Sequence, residues 1–101
     1  MVHILQVDFP LDGPFGDEMP RQFEDLAKSI NDEPGFLWKI WTENETAKEA
    51  GGIYAFDSKA HAESYLNMHS ERLNAMGVTE INAKIFTINE GLTQITHGRV
   101  E

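Results

Sequence analysis

The chain has no cysteine among its 101 residues. That excludes disulfides, thiolate nucleophiles and cysteine-ligated zinc or iron–sulfur centres. Cations are scarce as well: 8 Lys and Arg stand against 17 Asp and Glu, a formal net charge of -9, and the basic residues form no cluster. Nucleic-acid binding needs a phosphate-neutralising surface, so that class of partner is set aside. No run approaches the roughly 20 apolar residues of a membrane span. The opening Met1-Val2-His3-Ile4-Leu5-Gln6-Val7-Asp8 has no basic region of the kind that begins a signal peptide. A cytoplasmic protein with neither nucleic acid nor membrane as partner is expected. Metal-binding spacing is missing too. The histidines are His3, His61, His69 and His97, and they form neither H-x-x-x-H nor H-E-x-x-H, so no metal site is expected.

What remains is an ordinary globular composition, 41% hydrophobic and 25% charged, in a length suited to one domain. Residues 2–9 are rich in β-branched and apolar types and read as a strand. Asp12-Gly13-Pro14-Phe15-Gly16 breaks the chain. A helix then follows from about Asp17, whose carboxylate is placed to cap it, with Met19, Phe23, Leu26, Ala27 and Ile30 along one face. Glu33-Pro34-Gly35 ends that helix. Residues 35–43 and 49–56 read as a hairpin, with Gly51-Gly52 marking a bulge or a close approach to the backbone. Asp57 or Ser58 caps a second helix running to about Met76, its apolar stripe made of Ala62, Tyr65, Leu66, Leu73 and Met76 with His69 among them. Gly77 stops it, and 78–88 is a fourth strand. Residues 89–101 are weakly patterned and read as a C-terminal arm on a single domain spanning 1–101. The order β-α-β-β-α-β is the ferredoxin-like arrangement of an α+β protein with a four-stranded antiparallel sheet.

Two helices can cover only one face of such a sheet, and a face meeting water alternates apolar and polar residues. These strands are apolar on both parities. Leu5, Val7 and Phe9 oppose Val2 and Ile4, while Ile53 and Ala55 oppose Tyr54 and Phe56. A second subunit packed sheet against sheet is the simplest cover, so a homodimer is expected; the alternative is a tail folded across the open face.

Candidate chemistry is sparse. Gly13-Pro14-Phe15-Gly16 precedes a helix N-terminus and could hold an anion, or it is simply a tight turn feeding the helix. Trp38, Trp41, Tyr54, Phe56 and Tyr65 are either core packing or the lining of a pocket for a flat hydrophobic ligand. By simple alternation Trp38 shares a face with Phe36 and Ile40, opposite Trp41. His69 is the one titratable group on the apolar helix stripe. It is either a core histidine or a general base or hydrogen-bond donor at a pocket edge. Arg72, three residues on, either neutralises an anion formed there or lies in a surface salt bridge.

The hairpin carries a resemblance. Pro34-Gly35-Phe36-Leu37-Trp38-Lys39-Ile40-Trp41-Thr42-Glu43 with Glu49-Ala50-Gly51-Gly52-Ile53-Tyr54-Ala55-Phe56 closely resembles the YdhR mono-oxygenase family, as do Gly13-Pro14-Phe15-Gly16-Asp17 and Asn89-Glu90. That family is similar to the dimeric α+β barrel superfamily, which includes cofactor-free oxygenases of polycyclic phenols. The resemblance implies the same fold and dimer, and a mono-oxygenase needing no cofactor. Its substrate would be an electron-rich, phenol- or hydroquinone-like aromatic able to give an electron to oxygen. In that reading Trp38, Tyr54, Tyr65 and Arg72 bind the substrate, and His69 is the base or the anion-stabilising donor. The alternative is a non-catalytic homodimer that binds a hydrophobic small molecule.

Overall fold

A computed structural model describes residues 1–100; Glu101, the end of the expected arm, lies outside the described residues. The elements run β1 (His3–Pro10), α1 (Glu18–Ile30), β2 (Phe36–Asn44), β3 (Glu49–Phe56), α2 (Lys59–Ala75), β4 (Asn82–Thr87) and α3 (Glu90–Ile95). All strand pairs are antiparallel and the sheet order is β2-β3-β1-β4. This is the ferredoxin-like α+β arrangement. The core between sheet and helices contains Leu5, Val7, Ile30, Tyr54, Phe56, Ala62 and Tyr65. Each such large apolar side chain, fully buried, contributes about 1.5–3 kcal/mol.

Several local details differ from the simplest reading of the sequence. Asp17 precedes α1 but its side chain makes no capping bond. Glu43 on β2 reaches across instead, its carboxylate accepting the Gly16 N–H at 3.1 and 3.2 Å. A negative group therefore does sit at the positive end of α1, though it comes from the sheet. It also occupies the loop amide that could have received a foreign anion. At α2 the cap is Ser58, whose hydroxyl accepts the His61 N–H at 3.2 Å; Asp57 holds the His61 ring at 2.6 Å. The fourth strand begins at Asn82 rather than at residue 78. Val78 is instead a buried plug just past α2, its N–H bonded to the Leu73 carbonyl at 2.9 Å. Glu80, at φ 54°, then interrupts any extended run. The segment expected as an arm contains the short helix α3, capped by the Asn89 side chain at the Leu92 N–H.

The most consequential irregularity is in β2. Phe36 pairs with Phe56 but Trp38 pairs with Ala55, so one extra residue is accommodated between them. A bulge of this kind reverses the face of everything on one side of it. Phe36 consequently faces the helices with Phe56, at a ring separation of 6.0 Å. Trp38 stays with Ile40 on the opposite face, so the expected grouping of Phe36 with Trp38 does not hold. That open face also carries Ile4, Ile53, Ala55 and Phe86, which share a side through their pairing. Ile40 and Phe86 remain 54% and 50% exposed.

Gly51 and Gly52 mark close approaches, as their pairing in a strand suggests. A Cβ on Gly51 would collide with the Val7 carbonyl oxygen, so only glycine lets β1 and β3 run this close. A Cβ on Gly52 would instead fall against Cε of Lys39.

Candidate active site

The Lys39 side chain crosses Gly52 on the helix-facing side of the sheet, next to its cross-strand partner Tyr54. Its Nζ lies 3.3 Å from the Trp41 ring centroid and 4.5 Å from that of Tyr54. Among the described residues no carboxylate forms an ion pair with it. Two aromatic faces are its nearest compensation, and each contributes about 0.5–2 kcal/mol. Burial, and then Arg72, brings the ammonium down to about 7.

From the other side, α2 places Tyr65, His69 and Arg72 at i, i+4 and i+7, the spacing of one helix face. His69 is 3% exposed. Arg72 approaches its Nδ1 through Nη2 at 2.9 Å and Nε at 3.3 Å. A guanidinium only donates. Nδ1 must therefore present its lone pair, and the imidazole hydrogen sits on Nε2, which has no acceptor among the described residues. Burial, Arg72 and Lys39 together hold the ring down to about 3, so it is neutral at ordinary pH. Arg72 Nη2 also donates to the Tyr65 hydroxyl at 3.3 Å, and Tyr65 donates to Tyr54 at 3.4 Å. Burial first pushes both tyrosine hydroxyls up, keeping them protonated. Tyr54, Tyr65 and His69 pack ring to ring, with centroids 5.0 Å apart for Tyr54–Tyr65 and for Tyr65–His69.

These groups end at a cavity of about 40 Å³ between sheet and helices, lined among others by Met19, Phe23, Lys39, Trp41, Tyr54 and His69. Outside it, between α1 and β2, runs an apolar groove of about 420 Å³, walled by Met19, Phe23 and Trp41 with Glu24 and Glu43 beside them. Phe23 and Trp41 stack at 6.2 Å and, with Met19, line both spaces. The larger hollow of about 720 Å³ lies on the open sheet face, between Trp38, Phe86 and the C-terminal segment. Lys39 and Arg99 also border it, but neither His69 nor a tyrosine does.

Of the residues singled out in the sequence, Tyr54 and His69 line the cavity, and Tyr65 and Arg72 stand behind it in one hydrogen-bonded chain. Trp38 does not join them, because the bulge leaves it on the other face. Its Nε1–H is shielded from water and has no acceptor among the described residues. Sequence reasoning missed Lys39. The available signal was a lysine within a run of apolar and aromatic residues, in a hairpin whose other strand carries a Gly-Gly pair two residues from its partner Tyr54. Among the described residues no three His, Asp or Glu side chains gather as a metal-binding group, and no helix is long and apolar enough to cross a membrane.

The family model described as "Putative mono-oxygenase ydhR" matches residues 4–99. No curated protein matches the chain. Among solved structures, a protein of unknown function from Nitrosomonas europaea is similar at TM-score 0.62 and 18% identity, over 87% of this chain and 89% of that one. A "putative antibiotic biosynthesis monooxygenase" from Deinococcus radiodurans gives TM-score 0.58 and 13% identity, over 88% and 93%. SnoaB, a cofactor-independent oxygenase from Streptomyces nogalater, solved as a point mutant, gives 0.58 and 14% over 87% and 93%. At these identities the structural likeness establishes the shared fold.

Proposed function

The chain belongs to the ydhR mono-oxygenase family, and on that premise we propose that it oxygenates a small electron-rich aromatic, phenol- or hydroquinone-like, without a metal or flavin. The observation that carries this reading is a tautomer-fixed, neutral His69 beside Lys39 at one cavity, with Arg72 behind it and no carboxylate paired with either cation among the described residues. Such a site favours an oxyanion. Donors already oriented toward developing negative charge need no reorganisation as it forms.

The cavity holds little more than one water-sized group. The groove outside it falls within the roughly 300–1,000 Å³ of small-molecule sites. The ring therefore lies in the groove against Phe23 and Trp41, and its hydroxyl oxygen enters the cavity. His69 Nε2–H donates to that oxygen. His69 is the donor rather than the base, since Nε2 already carries the ring hydrogen and the lone pair of Nδ1 is taken by Arg72. The phenolate gives one electron to O2, and the resulting radical pair joins at a ring carbon bearing hydrogen. The hydroperoxide then loses water to leave a quinone, so that phenol and O2 become quinone and H2O. SnoaB, of the same fold, is a cofactor-independent oxygenase, which supports this class of chemistry.

The functional unit in this reading is a homodimer joined through the open sheet face. Ile40 and Phe86 are exposed there, Trp38 holds an unpaired N–H, and Leu92 and Ile95 of α3 are 65% and 75% exposed alongside. The C-terminal segment borders this face without covering it. The test of function is oxygen uptake by metal-stripped protein across a panel of polycyclic phenols and hydroquinones, with analysis for the quinone. Protein-dependent uptake that survives chelation is expected. Ligand-induced quenching of tryptophan fluorescence with no uptake across the panel would make this a binding protein.

A further inference from the structure

We infer that Lys39 takes the proton of the substrate hydroxyl and remains beside the anion as its counter-ion. The inference rests on the oxygenase reading for its substrate, but its central claim concerns binding and can be tested without turnover. Four placements carry it. Lys39 lines the cavity together with Tyr54 and His69, so an oxygen accepting from His69 lies within reach of its amine. Its stem occupies the space that the missing Gly52 side chain leaves, which fixes it there instead of in solvent. Its nearest partners are aromatic faces, which favour the cation but cannot neutralise it. Finally, no carboxylate among the described residues offsets either Lys39 or Arg72. Two half-buried cations, Lys39 at the cavity and Arg72 behind the neutral His69 ring, form a site completed by an anion.

The surrounding groups assign the proton transfer to Lys39. Around it stand Arg72 and His69 from α2, Tyr54 from β3 and Trp41 from β2, with the apolar Met19, Phe23 and Leu26 from α1. Arg72 presents a guanidinium, which only donates. His69 cannot accept without facing the guanidinium, and both tyrosines hold their own protons. Lys39, lowered to about 7, is free amine in a substantial fraction at neutral pH. In the forward step the hydroxyl O–H breaks, the proton joins the Lys39 nitrogen, and the electron pair stays on oxygen. After oxygen addition the ammonium returns that proton to the peroxide oxygen.

The experiment uses para-nitrophenol, which turns yellow on losing its proton and is too electron-poor to be oxidised, with para-nitroanisole as a neutral match. Both are titrated against the whole protein under nitrogen. Wild type should bind the nitrophenol as its phenolate, lowering the probe's apparent pKa by about one unit or more, a tenfold preference for the anion. In Lys39→Met that shift should vanish while nitroanisole binds unchanged or tighter. Lys39→Arg retains the charge but cannot accept a proton, so it should keep the shift and lose at least about tenfold in oxygen uptake at every pH. The yellow shift in wild type that disappears only in Lys39→Met supports Lys39 as the counter-ion even if no phenol consumes oxygen, in which case the oxygenase reading alone fails; oxygen uptake undiminished in Lys39→Arg overturns its role as the base. A probe left colourless by wild type, or a shift that survives in Lys39→Met, overturns the assignment whatever the uptake assay shows.

Discussion

Replacing Lys39 by methionine keeps an apolar stem over Trp41 and Tyr54 and removes the charge, so it isolates the cost of burying an unpaired ammonium. In the folded protein that group is held to about 7, burial being the larger cause and Arg72 the second. In the unfolded chain it returns to roughly 10.4. Between those values the unfolded state binds more protons, so folding stability rises with pH and is lost again as pH falls through about 7. At about 1.4 kcal/mol per unit, the whole shift corresponds to at most about 5 kcal/mol. Lys39 is only half-buried, and solvent screening leaves about 2–3 kcal/mol. Neighbouring groups bound the window. His69, held near 3, contributes a separate rise that is complete once pH exceeds its ordinary value. Tyr54 and Tyr65, raised by burial, contribute a loss only as pH passes about 10. Urea unfolding between about pH 6.5 and pH 9.5 should therefore show wild type gaining those 2–3 kcal/mol. Lys39→Met should stay nearly level, exceed wild type at the acid end and meet it at the alkaline end. Parallel curves for the two proteins, or a methionine variant weaker than wild type throughout, would refute the desolvation argument.

Three other perturbations reach different parts of the site. His69→Gln can still accept from Arg72 and donate into the cavity, so it should fold and retain phenolate binding to within about tenfold, a change near 1.4 kcal/mol; loss of all binding in calorimetry would mean the imidazole ring itself is required. Gly52→Ala gains about 0.5–1 kcal/mol of strand preference and forfeits the lysine's ring contacts, worth a similar amount. Its melting point should barely move while phenolate binding drops about tenfold or more, and unchanged binding would show that Lys39 is not held by that gap. Ile40→Glu places a charge on the open sheet face and should convert a dimer to single chains by sedimentation without altering the circular dichroism spectrum; an unchanged sedimentation coefficient would count against sheet-to-sheet assembly.

The fold was largely legible because its signals are periodic. Short runs of β-branched and apolar residues marked the strands, a three-to-four spacing marked both long helices, and the segment order identified the topology. The Tyr65, His69 and Arg72 stripe was legible for the same reason. Other features depend on single residues, for which periodicity carries no information. One additional residue near Leu37 put Phe36 and Trp38 on different faces, although strict alternation groups them. Val78 reads as strand by composition, yet it plugs the end of α2. The role of His69 turned on which nitrogen meets Arg72, which spacing does not encode. Lys39 was overlooked because a charged residue in an edge strand ordinarily points to water. Only the missing side chain at Gly52 provides the space that lets it lie inward.

The distribution of charge also bears on how a ligand arrives. The chain carries a formal net charge of -9, with Glu24 and Glu43 beside the outer groove, while Lys39 lines the inner cavity and Arg72 stands behind it. An anion diffusing toward the protein meets repulsion over a range of about 8–10 Å before it reaches any attraction. Encounter with a preformed anion should thus accelerate as salt is added, the reverse of ordinary electrostatic steering. A neutral phenol crosses that barrier unhindered and acquires its charge only after reaching the cavity, where leaving again would mean separating from two cations. The acidic exterior and basic interior together act as a one-way filter that admits weak acids and turns away strong ones.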